Sequence, residues 1–556
     1  MTTVQPAKLK HHKGLWILFG TEMWERFGYY LMVGIFLLYL KDPISNGGAG
    51  FNLKMATDLV GSYIAMAYLT PFIGGLIADR YLGYRRAIIV GGALLAAGYF
   101  ALAIPGKTPM YIALLLLVTG NGFFKPNIST LLGNIYSKEE LKARKDNAYN
   151  IFYMGINIGA FVCNFVAAYM RNHYGWGYAF MAAGVGMTIA LVWFIIGYKS
   201  VAEGDVKKPV QKEDMPMKKI LGYVFLPAAI AGAIGWNIQS LIGHTIFGTT
   251  SNDAFMFACI PIIIFYVGLF IKASREDKRG LGALFSFFLV SIVFWVIYNQ
   301  NSTGLTIWAD QYTNREMPAS LEKVTKPFGF LEPVTTEPHE VIKYDEYFRS
   351  SQGPDGKLIK AQGPDTYFNN LPRKDWPQNG HLNLLSTEIF QSINPFFIVL
   401  FTPILVWLFG RLARKKKEPS TPNKVGLGIW FAGLSSLVMY IAITTTDVFH
   451  NKTEAYWIVA TYAIFTIGEL LVSPIGLSLV SKLSPPRITA LMMGAWFIVN
   501  AIAGKLAGLM ATFWDSFTHK QNYFLILVIA AAVAGLIMFV LSKRISAVLK
   551  EKTGSS

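Results

Sequence analysis

The stretch Glu22-Met23-Trp24-Glu25-Arg26-Phe27-Gly28-Tyr29-Tyr30 puts three formal charges inside a run, 14–40, that is otherwise apolar. On a helix Glu22, Glu25, Arg26, Tyr29 and Tyr30 sit at offsets 0, 3, 4, 7 and 8 and form one polar stripe. The run is long enough to cross ~30 Å of hydrocarbon, where an ionised side chain is costly unless paired or placed in water. Glu22 and Glu25 can both reach Arg26. The stripe is therefore either a closed ion-pair knot or one wall of a polar cavity, and isolated polar groups in other apolar runs favour the cavity.

Apolar stretches of similar length recur along the chain. The expected spans are 14–40, 56–79, 84–104, 109–133, 147–171, 176–198, 218–243, 252–273, 279–310, 387–411, 424–447, 454–480, 487–514 and 519–546, a total of fourteen. The 556 residues are 53% hydrophobic with a mean hydropathy of +0.40, unlike a large soluble helical protein. The net charge of +17 first suggests nucleic acid, but the basic residues sit in short loops. They precede the first span (Lys8, Lys10, Lys13) and follow the last (Lys543, Arg544, Lys550, Lys552), and alternate loops carry more. Examples are Lys138, Lys142, Arg144 and Lys145; Lys207, Lys208 and Lys212; and Arg411, Arg414 and Lys415. An even span count puts all of these on one side, which the positive-inside rule makes cytoplasmic. The expected placement is thus multi-pass in the inner (plasma) membrane, with both termini cytoplasmic, lipid around it and no nucleic acid or obligatory protein partner.

The first run lacks a small-residue cleavage site and is expected to remain as a span. Cys163 and Cys259, both within apolar runs, make neither a disulfide framework nor a metal site. No phosphate-binding loop ending in Lys-Ser/Thr occurs, so no cofactor or ATP chemistry is expected. Residues 312–386, rich in Pro, Gly, Tyr and mixed charge, read as an extracytoplasmic insertion with small strands such as 356–361, by default a solvated cap.

Two six-span bundles, 14–198 and 279–546 (the latter interrupted by 312–386), flank a basic linker and an additional helical pair over 199–275. This is an all-α membrane protein whose organisation fits the two-bundle major facilitator architecture. The extra pair has no charge in its apolar centres, and scaffolding is its default role.

Further polar groups fall in other spans. Lys125 lies in Gly120-Asn121-Gly122-Phe123-Phe124-Lys125-Pro126-Asn127, where Gly and Pro permit a bend. Its amine can meet a first-span carboxylate or a substrate carboxylate. Glu469, in Gly468-Glu469-Leu470-Leu471-Val472-Ser473-Pro474, is the acid in the second half, and Asn394 in Gln391-Ser392-Ile393-Asn394-Pro395 is a neutral donor and acceptor. Together they can bracket a zwitterion. Asp79, Arg85 and Arg86 in Gly74–Arg86 can form a cytoplasmic charge latch that gates the bundles.

These residues resemble the proton-coupled oligopeptide transporters of the major facilitator superfamily, over nearly the whole membrane core. Glu22–Tyr30 resembles the ExxERFxYY motif of the first span, and Phe152-Tyr153-Met154-Gly155-Ile156-Asn157-Ile158-Gly159 the FYxxINxG signature. Gly468–Pro474 resembles the tenth span of the twelve-helix core, and Gly74–Asp79 the wider superfamily's GGxxAD. The resemblance implies inward symport of di- and tripeptides with protons. It implies a peptide site of Arg26, Tyr29, Tyr30, Tyr68, Lys125, Asn157, Asn394, Glu469, Ser473 and Trp496. Arg26 and Lys125 would take the peptide carboxylate, Glu469 the free amine, and Tyr68 and Trp496 would shape side-chain pockets. Glu22, Glu25, Arg26 and Lys125 would couple the proton. Two positions depart from the pattern: Val33 stands where many members have Arg, and Asn299 where many have an acid that gates. Those departures keep open proton-coupled transport of nitrate or another small organic anion. A non-transporting membrane receptor, with 312–386 as its recognition module, is the other alternative.

Overall fold

The computed structural model describes residues 11–553 apart from 143, 207–214, 346, 354–357 and 486–487, so Lys8, Lys10, Lys207, Lys208 and Lys212 lie outside the described residues. The first half consists of α1 (Lys13–Lys41), α2 (Leu53–Ile77), α3 (Tyr84–Leu102), α4 (Lys107–Ile135), α5 (Lys145–Tyr174) and α6 (Trp176–Ile196). The extra pair is α7 (Leu226–Trp236) and α8 (Thr250–Lys272). The second half runs through α9 (Arg275–Tyr298), α10 (Gly304–Gln311), α11 (Ile393–Arg414), α12 (Thr421–Thr445), α13 (Ala455–Val472), α14 (Gly476–Leu483), α15 (Thr489–Thr512) and α16 (Gln521–Thr553).

Among the described residues, twelve helical segments are long and apolar enough to cross a membrane unaided, with α9 and α10 counted as one. The other two of the fourteen expected spans, α1 and α4, are 29 residues each and carry the Glu22-Glu25-Arg26 group and Lys125 at mid-length. They pack inside the bundle: α1 lies against α5 and α6, and α4 against α2 and α3. Neighbouring helices therefore shield their charges from lipid.

Three expected spans are interrupted. The run 454–480 is not one helix, because Pro474 removes a backbone donor and ends α13 at Val472 before α14 restarts. The run 218–243 breaks after Trp236, and 279–310 breaks through a 3-10 turn at Asn299–Ser302. Non-helical backbone at such depth is tolerated where it lines a cavity.

The halves meet mainly along α2 and α15, where small residues allow close approach. A Cβ added at Gly61 would sit 2.8 Å from the Cα of Gly508. The insertion carries two antiparallel ribbons, β2 (Leu331–Thr335) with β5 (His381–Leu385) and β3 (His339–Ile342) with β4 (Lys360–Gly363). The strand expected at 356–361 is thus Lys360–Gly363, with 356 and 357 outside the described residues. A two-residue parallel pairing of β1 (Thr313–Asn314) with β6 (Thr453–Glu454) ties the insertion to the start of α13.

Candidate functional site

A cavity of about 260 Å³ lies between the halves. On the first-half side its lining includes Glu22, Arg26, Tyr29, Tyr30 and Val33 of α1, Tyr68 of α2, Lys125 of α4 and Asn157 of α5. Asn299 after α9, Asn394 of α11, Glu469 of α13 and Ser473 beyond it line the other side. Nine of the ten expected peptide-site residues therefore share one cavity.

The first-span charges form a compact network. Arg26 Nε lies 2.5 Å from Glu25 Oε2 and 3.2 Å from Glu22 Oε1, and its guanidinium is 4.9 Å from the Tyr29 ring centroid. Glu22 and Arg26 reach the cavity, whereas Glu25 is fully buried behind them. The stripe is thus both an ion-pair knot and a cavity wall.

Lys125 and Glu469 differ from that group. The Lys125 ammonium stands 4.0 Å above the Tyr68 ring, with no carboxylate within 4 Å among the described residues. Glu469 Oε2 accepts a 2.8 Å hydrogen bond from Asn394 Nδ2, which also donates to Thr466 Oγ1, and no cation pairs with it among the described residues. A lone cation and a lone carboxylate therefore border one cavity from opposite halves. Each is costly in a low-dielectric setting without a partner, and a zwitterion spanning the gap supplies both.

Trp496 does not line the cavity. It is 6% exposed and stacks on Phe287 at 5.4 Å between ring centroids, with its edge to Trp295 at 6.4 Å. Trp295 lines the cavity in its place, and Trp496 holds it from behind. The cytoplasmic latch also differs from expectation: Arg85 Nε pairs with Asp205 Oδ2 at 2.9 Å rather than with Asp79. Arg85 packs its guanidinium 4.2 Å from the Tyr198 ring, and Arg86 is exposed. The segment after α6 turns back to bring Asp205 within reach, and that approach has no signature in local sequence. Asn299 lines the cavity, its amide donating to the Trp295 carbonyl at 2.7 Å.

Tyr153, Asn164, Tyr298, Asn301, Ser302 and Gln391 also line the cavity. Of these, Tyr153 sits in the FYxxINxG stretch and Gln391 beside Asn394, so motif proximity was a usable signal. The others are ordinary polar or aromatic residues in their runs.

A set of side-chain bonds joins the halves on the extracytoplasmic side. Lys41 pairs with Asp310 at 3.0 Å, Gln391 Nε2 donates to the Gly34 carbonyl at 3.0 Å, and Asn164 Nδ2 donates to Ser392 Oγ at 3.1 Å. Arg171 pairs with Glu388 at 3.1 Å and with Glu332 of the insertion at 3.2 Å. Burial works against ionised Glu332, yet Arg171 and Arg315 hold its carboxyl below the ordinary range. Asn172 Nδ2 donates to the carbonyls of Gly329 and Leu331, which ties the insertion to the first half. These bonds make this the outside-closed arrangement.

A sequence model of the POT family matches residues 85–335 and 378–527. The chain belongs to the POT family. It is 30% identical to the uncharacterized transporter YclF of Bacillus subtilis (strain 168), over 97% of this chain and 95% of that protein. It is 29% identical to the di-/tripeptide transporter of Lactococcus lactis subsp. lactis (strain IL1403), over 96% and 95% of the two. The crystal structure of a peptide transporter POT in complex with sulfate superposes with a TM-score of 0.75 at 30% identity, covering 98% of this chain and 97% of that one. A POT family transporter in complex with 5-aminolevulinic acid gives 0.75 at 25% identity, covering 98% of both chains. Membership makes this POT protein a secondary active transporter of the major facilitator type.

Proposed function

We propose that this protein carries di- and tripeptides inward together with protons, by alternating access of its two bundles about the central cavity. The observation that supports this reading best is the pair Lys125 and Glu469, neither in an ion pair among the described residues, bordering one cavity from opposite halves. A peptide zwitterion with its carboxylate at Lys125 and Arg26 and its ammonium at Glu469 bridges the bundles and favours their approach. Tyr29, Tyr30, Tyr68, Asn157, Asn394 and Ser473 supply hydrogen bonds and ring surface along its length. A simple anion such as nitrate suits the site less well, because it can pair with Lys125 and Arg26 but brings no positive group to Glu469.

The moving bodies are 14–198 and 279–546, with 199–275 between them. Peptide and proton enter the outside-open state, and binding draws the halves together over the cavity. In the Glu22–Arg26–Glu25 network, protonation of Glu22 removes one of the two carboxylates that hold Arg26 and frees the guanidinium for a new partner. Loss of the proton to the cytoplasm restores the network and releases the peptide. Each step is a differential stabilisation of two states and needs no bond chemistry.

Proteoliposomes holding the purified chain should acidify internally on adding a dipeptide, and an inward proton gradient should accelerate uptake. Glu22→Gln should keep peptide exchange but lose gradient-driven accumulation. Verified peptide uptake with no proton flux would sink the coupling, and full accumulation by Glu22→Gln would remove Glu22 from it.

A further inference from the structure

A buried polar cluster lies outside the cavity, near the extracytoplasmic ends of α2, α8 and α15. Lys505 Nζ of α15 donates to Asp58 Oδ1 at 2.6 Å, to Ser62 Oγ at 2.7 Å and to Ser251 Oγ at 2.8 Å. Ser251 Oγ lies 2.7 Å from both oxygens of Asp58, so its one proton serves that carboxylate while its lone pair takes the ammonium. Lys505 is 2% exposed and Asp58 6%. All three ammonium donors are thus used, by groups from two other helices, α2 and α8.

The three helices do not belong to one body. Asp58 and Ser62 lie on α2 of the first half, Lys505 lies on α15 of the second, and Ser251 opens α8 of the extra pair. Hydrogen bonds join α8 to α15 at both ends: Ser251 meets Lys505 outside, and Tyr266 Oη donates to the Leu491 carbonyl at 3.1 Å inside. Ser251 is also held in place locally. Asp253 accepts from the amides of Ile246 and Phe247 at 3.0 and 2.6 Å, and Thr249 Oγ1 caps α8 through the Asn252 amide at 3.2 Å. Apart from this cluster, the segment leading into the pair meets the first half through a ring stack, Phe225 on Phe72 at 5.9 Å, and one hydrogen bond, from Arg80 Nη2 to the Met215 carbonyl at 3.2 Å.

We propose that the extra helical pair travels with the second half as a brace of α15, and that Ser251 and Lys505 together receive Asp58 as a latch on the outside-closed state. Opening the outer side separates α2 from α15. Asp58 and Ser62 then leave, and a buried ammonium and a buried carboxylate must each find water or another partner. Ser251 increases that cost, because its hydroxyl is oriented by Lys505 to bind the departing carboxylate. The pair is thereby a working part of the transport cycle, and Ser251, Asp58 and Lys505 are its positioning residues.

The test is labelling from outside in cells expressing the full chain, with a reporter cysteine at Ile64, a cavity-lining position of α2. The two native cysteines are buried and are replaced by serine. A membrane-impermeant maleimide added outside, without peptide, reacts as the outer side opens. Ser251→Ala removes one charge-assisted hydrogen bond and should raise the labelling rate about tenfold. Removing one charge of the buried pair alone can prevent folding, so the pair is tested as Asp58→Asn with Lys505→Gln, which should raise labelling at least as much. Unchanged labelling in both variants, with folded protein confirmed by a single symmetric size-exclusion peak, overturns the latch. A lower thermal stability with unchanged labelling overturns it as well, because the cluster then only holds the fold. The readout needs no substrate, so a chain that fails to carry peptides but labels faster as Ser251→Ala sinks the transport reading and leaves the latch standing.

Discussion

Replacing Glu469 with Gln tests the charge logic of the cavity with little change of shape. Gln keeps a carbonyl to accept the 2.8 Å hydrogen bond from Asn394, so the local bond that positions the side chain survives. What disappears is the single negative charge facing Lys125 across the cavity. Because that carboxylate has no cation of its own among the described residues, its attraction for a bound ammonium is not shared with a protein partner. Losing one member of a buried, hydrogen-bonded charge pair at a binding site costs about 2–4 kcal/mol, or ~30- to 1,000-fold in Kd. The assay is calorimetric binding of a free dipeptide and its N-acetylated form to the purified protein. Wild type should prefer the free peptide, and Glu469→Gln should lose that preference while binding the acetylated form almost unchanged. Lys125→Gln should show the mirror image with a C-amidated peptide. Equal loss for free and blocked peptides, in folded protein, would show that Glu469 shapes the cavity without reading the ammonium, and the orientation of the peptide would have to be abandoned.

Two further outcomes follow from groups outside the cavity. Burial pushes Asp42, just beyond α1, up to about 6 against the 2.7 Å hydrogen bond from Trp176 Nε1. A folded-state pKa raised above the unfolded one means that folding takes up a proton between about pH 4 and 6, so stability falls as pH rises through that window, by at most about 3 kcal/mol. Asp42→Asn should flatten that part of the pH profile of thermal unfolding in detergent, and an unaltered profile would assign the slope elsewhere. Gly61→Val places a side chain against Gly508 backbone and should destabilise the protein by roughly 1–3 kcal/mol. An unchanged melting temperature would show that α2 and α15 have slack where they meet.

Much of this architecture is legible in the chain itself. Apolar length marks the spans, and basic loops orient them. The offsets of Glu22, Glu25, Arg26, Tyr29 and Tyr30 announce a polar face before any neighbour is known. Lys125 and Glu469 stand out by the same rule, as charges where lipid would penalise them. Asp58 and Lys505 obey that rule too and were equally visible, in the runs Ala56–Val60 and Ala503–Ala507, although no motif draws the eye to them.

The sequence by itself determined which segments cross the membrane, which way they run and which charges needed partners, because length, hydropathy and helical offset are properties of one segment. Tertiary structure alone decided who those partners are. It turned Trp496 from the cavity to the back of Trp295, gave Arg85 to Asp205 rather than Asp79, and put Lys125 and Glu469 on one cavity with no ion-pair partner among the described residues. It also brought Ser251 of the extra pair to Asp58 and Lys505. Such pairings depend on helix packing across hundreds of residues, where close approach at sites such as Gly61 and Gly508 sets the distances, and no local pattern encodes them.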